Sequence, residues 1–139
     1  MILYVLDTDT LTLWQQGHPL ISQRVAARPP GTVAITIISV EEQFLGWHTR
    51  ILRAKQPDEM ARVYQRFTDT TRFVAQVPIL SLTLPALQRY AQLKELKLKV
   101  GRQDLRIAAI ALEESATVVT CNLRDFKLVP QLTIVDWSQ

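Results

Sequence analysis

Ile2-Leu-Tyr-Val-Leu6 runs directly into Asp7-Thr-Asp-Thr10. A nearly all-apolar run with no polar alternation describes a strand covered on both faces, and such strands belong to parallel sheets held between layers of helix. The run stops at a carboxylate. Leu11, Leu13 and Trp14 then begin a helical pattern, which Thr8, Asp9 or Thr10 is able to cap. In open α/β sheets reactive groups collect beyond the carboxyl ends of the strands. That position marks Asp7 as a functional candidate, gives Thr10 a capping role and leaves Asp9 open between the two.

The same alternation repeats along the chain. Thr32-Val-Ala-Ile-Thr-Ile-Ile38 and Ala116-Thr-Val-Val-Thr120 are β-branched runs of strand type, with shorter candidates at Val77–Leu80 and Leu132–Val135. Helical spacing covers Pro19 to Arg28, which Pro29-Pro-Gly31 ends, and Ser39 to about Arg53. A fourth helix starts at Pro57 and reaches about Phe73, with Met60, Val63, Tyr64 and Phe67 expected inside. Thr83 is the expected cap of a fifth, whose Leu87, Tyr90, Ala91 and Leu93 should face inward. Strands alternating with helices imply right-handed crossovers and an α/β class, a three-layer α/β/α arrangement with a mostly parallel central sheet. At 139 residues, with 47% hydrophobic and 21% charged side chains, residues 1–139 suit one globular domain.

Val100-Gly-Arg-Gln-Asp-Leu-Arg-Ile-Ala-Ala-Ile-Ala-Leu112 places a carboxylate on a core-facing stripe, because Asp104 lies one turn before Ile107 and Ala108. An acid aimed at a core must be protonated, paired, hydrogen-bonded or bound to a cation. The bland alternative is a first-turn acid complementing the helix dipole. Gly101 upstream allows a sharp turn or a close approach. Asn122 and Asp125 follow the strand at 116–120 as Asp7 follows the first one. Glu42 stands three residues after Ser39, a capping-box spacing that competes evenly with a catalytic role, whereas Glu41 has the look of a solvated residue. Gly46 inside that helix suggests close packing by a neighbouring segment.

In a parallel sheet the strands end and their helices begin on one edge, so Asp7, Glu42, Asp104 and Asp125 can meet there. Four unpaired carboxylates repel, and a divalent cation relieves the conflict. Oxygen-only donors favour Mg²⁺ or Mn²⁺, and His18 and His48 share no metal-binding spacing. Such a site can activate water and stabilise charge on a phosphodiester. No glycine-rich phosphate loop is present, which argues against nucleoside triphosphate hydrolysis. A net charge of +3 permits a polyanionic partner without requiring one. Lys97, Lys99, Arg102 and Arg106 gather near Asp104, either as a solvated face or as an RNA-facing rim; Arg50, Arg53 and Lys55 suit a solvated helix end or phosphate contacts. A single cysteine, Cys121, excludes an internal disulfide, and no apolar run approaches a membrane span, so a cytoplasmic protein is expected.

Five segments in this order resemble the PIN-domain ribonucleases, most closely VapC-type toxins of toxin–antitoxin pairs. They are Leu6-Asp-Thr-Asp-Thr-Leu11, Ser39-Val-Glu-Glu-Gln-Phe-Leu-Gly46, Gly101–Leu112, Thr120-Cys-Asn-Leu-Arg-Asp-Phe126 and the Leu132-Thr-Ile-Val-Asp-Trp137 ending. Each is weak alone; together they span nearly the whole chain. The resemblance implies that Asp7, Glu42, Asp104 and Asp125 form the acidic, metal-holding catalytic set, with Thr8 and Asn122 in support. Asp7 and Asp104 are its firmest ligands, and Asp125 is able to act through water. It prefers Glu42 to Glu41 because Gly46 falls four residues on, although Gln43 stands where the family usually has Leu. It further implies Mg²⁺- or Mn²⁺-dependent endonucleolytic cleavage of RNA leaving 5′-phosphate and 3′-hydroxyl ends. A homodimer and a small DNA-binding antitoxin are implied as partners.

Three other readings compete. Asp7-x-Asp9 is similar to the nucleophile motif of haloacid-dehalogenase-like phosphatases, but Leu11 stands where Thr or Val is expected. A receiver domain would place its central acid on a strand end rather than on a helix. A catalytically inactive PIN-like RNA-binding or interaction module keeps the fold, although all four acidic positions are filled.

Overall fold

The computed structural model describes residues 1–139. Five short strands, β1 (Tyr4–Leu6), β2 (Val33–Thr36), β3 (Ile79–Leu80), β4 (Thr117–Val119) and β5 (Thr133–Val135), form one sheet in the order β3-β2-β1-β4-β5. Every pairing is parallel, so the sheet is wholly rather than mostly parallel. The central strand fixes the register, with Tyr4 opposite Val33 on one side and Thr117 on the other. Chain order reverses between β1 and β4, and in doubly wound sheets that reversal opens a crevice at the carboxyl ends.

Alternation along each strand divides the core. Val5 and Val118 point to one face, where Ile107, Ala108, Ile110 and Ala111 of α6 (Arg102–Glu113) meet them, with Tyr90 and Leu93 of α5 (Leu84–Glu95) behind. Leu6, Ile35 and Val119 point to the other. That face is covered from α1 (Thr8–Gln15) by Leu11, from α2 (Pro19–Ala26) by Ile21, from α3 (Ile37–Arg53) by Val40, and from α4 (Pro57–Val74) by Val74. A fully buried Leu or Ile stabilises by about 1.5–3 kcal/mol. A short α7 (Leu123–Phe126) follows β4 and seats Phe126 in the core. Trp137 closes the β5 side, its ring 4.9 Å from that of Tyr4. No helix is long and apolar enough to cross a membrane.

Several sequence expectations shift. The helix expected from Ser39 starts at Ile37, because the Thr36 hydroxyl caps it by accepting from the Ser39 amide at 3.3 Å. Strand β2 therefore ends at Thr36, and Ser39 and Glu42 form no capping box. Asp7 itself caps α1, accepting from the Thr10 amide at 2.9 Å, while Thr10 is buried. Met60, Tyr64, Leu87 and Ala91 are exposed, and the inward positions fall to Thr70 and Val74 of α4 and to Ala86 of α5. Only part of each helix's apolar stripe reaches the core: Thr70 and Val74 at the end of α4, and Ala86, Tyr90 and Leu93 of α5. Gly46 and Gly101 do not mark close approaches: a Cβ at either would meet nothing within 4 Å.

Candidate active site

Two threonines just beyond strand ends, Thr120 and Thr8, hold two of the acidic groups. Thr120, just past β4, is fully buried and donates from Oγ1 to Asp7 Oδ2 at 2.6 Å. Its oxygen accepts from the Asn122 amide at 2.8 Å, so the turn after β4 is tied to the end of β1. Asp7 therefore has one oxygen on the α1 cap and the other on Thr120. Burial nevertheless pushes its pKa up, against the lowering effect of these hydrogen bonds and with a smaller contribution from Asp9. Thr8 donates to Glu42 Oε1 at 2.6 Å. Its single proton is committed there, so the 2.9 Å contact with Ser39 Oγ has Ser39 as donor. The buried Ser39 hydroxyl thus supports Thr8, which orients Glu42.

Asp104 lies in the first turn of α6, whose N-cap is Gly101 and which has no side-chain cap. It is half-buried and makes no hydrogen bond to another protein group. Burial raises its pKa to about 6, reinforced by the negative charges of Asp7, Glu42, Asp9 and Asp125. Asp125 is held in the opposite direction. Asn122 donates to it from Nδ2 at 2.9 Å and the neighbouring Arg124 from Nε at 3.3 Å, and its carboxyl is lowered.

Asp104 thus feels the charges of Asp7, Glu42, Asp9 and Asp125 at the carboxyl end of the sheet, with Thr8 on Glu42 and Asn122 on Asp125. No three acidic, histidine or cysteine side chains stand close enough to grip a single ion together. Glu42 is held by Thr8 and Asp125 by Asn122. The donor set still fits a hard cation. Mg²⁺ keeps several waters and takes only one or two carboxylates directly, and Asp104 is an unpaired carboxylate under the repulsion of four others. A cation placed here would meet oxygen donors and relieve that repulsion.

Of the basic rim, Lys97, Lys99 and Arg102 are exposed. Arg106 is half-buried: its guanidinium lies 5.3 Å from the Tyr90 ring centroid and donates to Gln103, which in turn donates to Glu41. Glu41 is therefore tied to α6 as well as exposed. Sequence reasoning missed Thr120 and Ser39, which hold Asp7 and Thr8. A threonine closing a β-branched run beside a parallel neighbour was the available signal for Thr120.

An all-parallel sheet in this order, with acids collected at its reversal, is a doubly wound α/β/α arrangement. No family model matches the chain. It is 26% identical to Ribonuclease VapC2 of Rickettsia felis over 144 aligned positions, covering 99% of this chain and 100% of that one. Among solved structures, DNA-bound VapBC from Salmonella typhimurium superposes with a TM-score of 0.80 at 25% identity, over 99% of both chains. VapBC2 from Rickettsia felis, bound to a promoter DNA fragment, gives 0.76 at 24% identity over 98% of this chain and 99% of that one. The resemblance to VapC-type PIN ribonucleases is borne out over the full length.

Proposed function

We propose that this chain is an endoribonuclease, the toxin of a toxin–antitoxin pair, working with Mg²⁺ or Mn²⁺ in the cytoplasm. Asp104 carries the reading. A half-buried carboxylate without a protein partner, ringed by four more, is costly to the fold and is useful where a cation and a phosphodiester must be brought together. Asp7 and Asp104 hold the ion, with Glu42 and Asp125 completing the shell directly or through water. When bound, the ion lowers the pKa of water and offsets charge developing on the phosphate. The chain's own residues fix the geometry: Thr120 holds Asp7, Thr8 aims Glu42, and Asn122 positions Asp125. Lys97, Lys99 and Arg102 engage flanking phosphates, which gives affinity without sequence choice, and Arg106 stiffens that rim from Tyr90. The partners are RNA, a second copy of the chain and a small DNA-binding antitoxin, in keeping with relatives solved as VapBC complexes.

Purified protein incubated with total cellular RNA and Mg²⁺, Mn²⁺ or EDTA tests this, beside the Asp104→Asn variant. Discrete cuts with 5′-phosphate ends are expected with metal only, and none from the variant. Cutting that persists in EDTA removes the metal from the proposal. A folded, antitoxin-free protein that cuts nothing under either metal is instead a binding module.

A further inference from the structure

A second polar feature adjoins the acidic crevice. Between α1, α3 and α4 lies a groove of about 510 Å³ whose wall includes Gln15, Gln43, Gly46, Trp47, Arg50 and Arg66. It begins where the site ends. Thr12, one turn beyond Thr8, and Gln43, next to Glu42, form its near wall, joined by a 3.3 Å hydrogen bond, and Gln43 and Gln15 exchange amide hydrogen bonds of 2.6 and 3.0 Å. This exchange accounts for glutamine at 43, where a leucine would offer no such bond.

At the far end the Trp47 ring is clamped. Its indole N–H donates to Thr70 at 2.9 Å, and the guanidiniums of Arg50 and Arg66 lie 5.1 and 5.9 Å from its centroid. Neither arginine has a carboxylate partner, for the ion pairs of the molecule are Asp58–Arg62, Arg89–Glu113 and Arg124–Asp125. The one acid in the wall, Asp69, accepts from Gln65. Arg53 and Lys55 continue the exposed positive run beyond Arg50.

Gly46 lies in the interior of α3. A glycine in a helix interior is about 1 kcal/mol worse than alanine, and no neighbour packs against this one. Its missing side chain is space on the groove floor, one residue before Trp47.

We propose that this groove is a subsite for single-stranded RNA, resting on the nuclease reading above: one base stacks at Trp47 while flanking phosphates sit on Arg50 and Arg66. An aromatic side chain carrying two cations without carboxylate partners suits a single strand, in which bases and phosphates alternate. Only Trp47 and Phe73 in the lining are hydrophobic, which suits a polyanion better than the apolar face of a peptide helix.

The test is binding without cleavage, in EDTA, on Asp104→Asn protein. The probe is a fluorescein-labelled, mixed-sequence single-stranded RNA of about ten nucleotides, within the span such sites cover. Arg50→Gln/Arg66→Gln should weaken binding about tenfold or more and reduce the salt slope of log K by about 1.4, two contacts at about 0.7 each. Gly46→Leu fills open space, so its Tm should hold or rise while affinity falls. Trp47→Phe keeps a stacking face and should lose less than Trp47→Ala. Affinity and slope equal to the parent's in both the arginine pair and Gly46→Leu overturn the subsite. So does arginine-dependent capture of a polyglutamate peptide with RNA binding unmoved, which assigns the groove to an acidic protein segment. Wild-type protein that cuts no RNA while these variants still weaken binding sinks the nuclease reading alone. Cleaving protein whose variants bind like the parent sinks the subsite alone.

Discussion

Ionising Asp104 in the native protein sets a negative charge beside Asp7, Glu42, Asp9 and Asp125 in a half-buried place, and its pKa of about 6 is the thermodynamic trace of that conflict. The ordinary value is 3.8. Between the two, the native chain binds more protons than the unfolded one, so this group makes stability fall as pH rises through that window. The penalty is absent below about pH 4 and complete above about pH 6. Asp7, also raised by burial, acts with the same sign. Asp125, lowered by Asn122 and then Arg124, acts oppositely, its contribution present above the ordinary value and lost as pH falls through its native pKa. Discounted for partial exposure, the Asp104 conflict is worth about 1–2 kcal/mol. Asp104→Asn should therefore be more stable than the wild type by about that amount near pH 8 in EDTA, raising Tm by several degrees. The advantage should shrink towards zero near pH 4. Urea unfolding of both proteins at the two pH values decides it; equal stabilities at both would mean that the carboxylate is solvated after all.

Helix ends decide where the acids stand, and they show what the sequence disclosed and what it hid. Lys97 follows the last turn of α5 with φ 53°, a left-handed conformation that glycine adopts without penalty. Lys97→Gly should stabilise the protein by about 0.5–1 kcal/mol while weakening RNA binding through the lost charge. A variant that is neither more stable by thermal melting nor weaker by RNA titration would remove Lys97 from the rim. The parallel sheet was legible because Ile2–Leu6 and Ala116–Thr120 are apolar without alternation, and the Asp104 conflict because its stripe is helical. The start of α3 was not. Thr36 and Ser39 are both competent caps, and only the length of β2 chooses between them. That choice turns Glu42 from a capping residue into one held by Thr8. The Thr120–Asp7 bond was hidden for another reason: it joins residues 113 apart in sequence, and strand order alone makes them neighbours. Gly46 shows the converse, for helical spacing revealed its cost but not the open groove it faces.

At the scale of the whole molecule, the fold keeps mutually repelling groups at its one topological reversal, and the rest of the core supports the strain. A ligand that binds the native crevice and ignores the unfolded chain must stabilise the protein, by about 2.7 kcal/mol at a concentration a hundredfold above its Kd. Mg²⁺ should therefore raise the Tm of the wild type relative to EDTA, and the increment should be largest near pH 8, where the carboxylates it offsets are ionised. It should decline below about pH 6, because protons then compete for Asp104. The same titration on Asp104→Asn should give little or no shift, since that variant has lost both the ligand and much of the repulsion. Calorimetric scans of the two proteins across pH, with and without Mg²⁺, separate specific binding from a general salt effect. A general effect would move both proteins equally and would follow Na⁺ at matched ionic strength. Equal shifts would detach the acidic crevice from metal binding, and the instability of Asp104 would then need another cause.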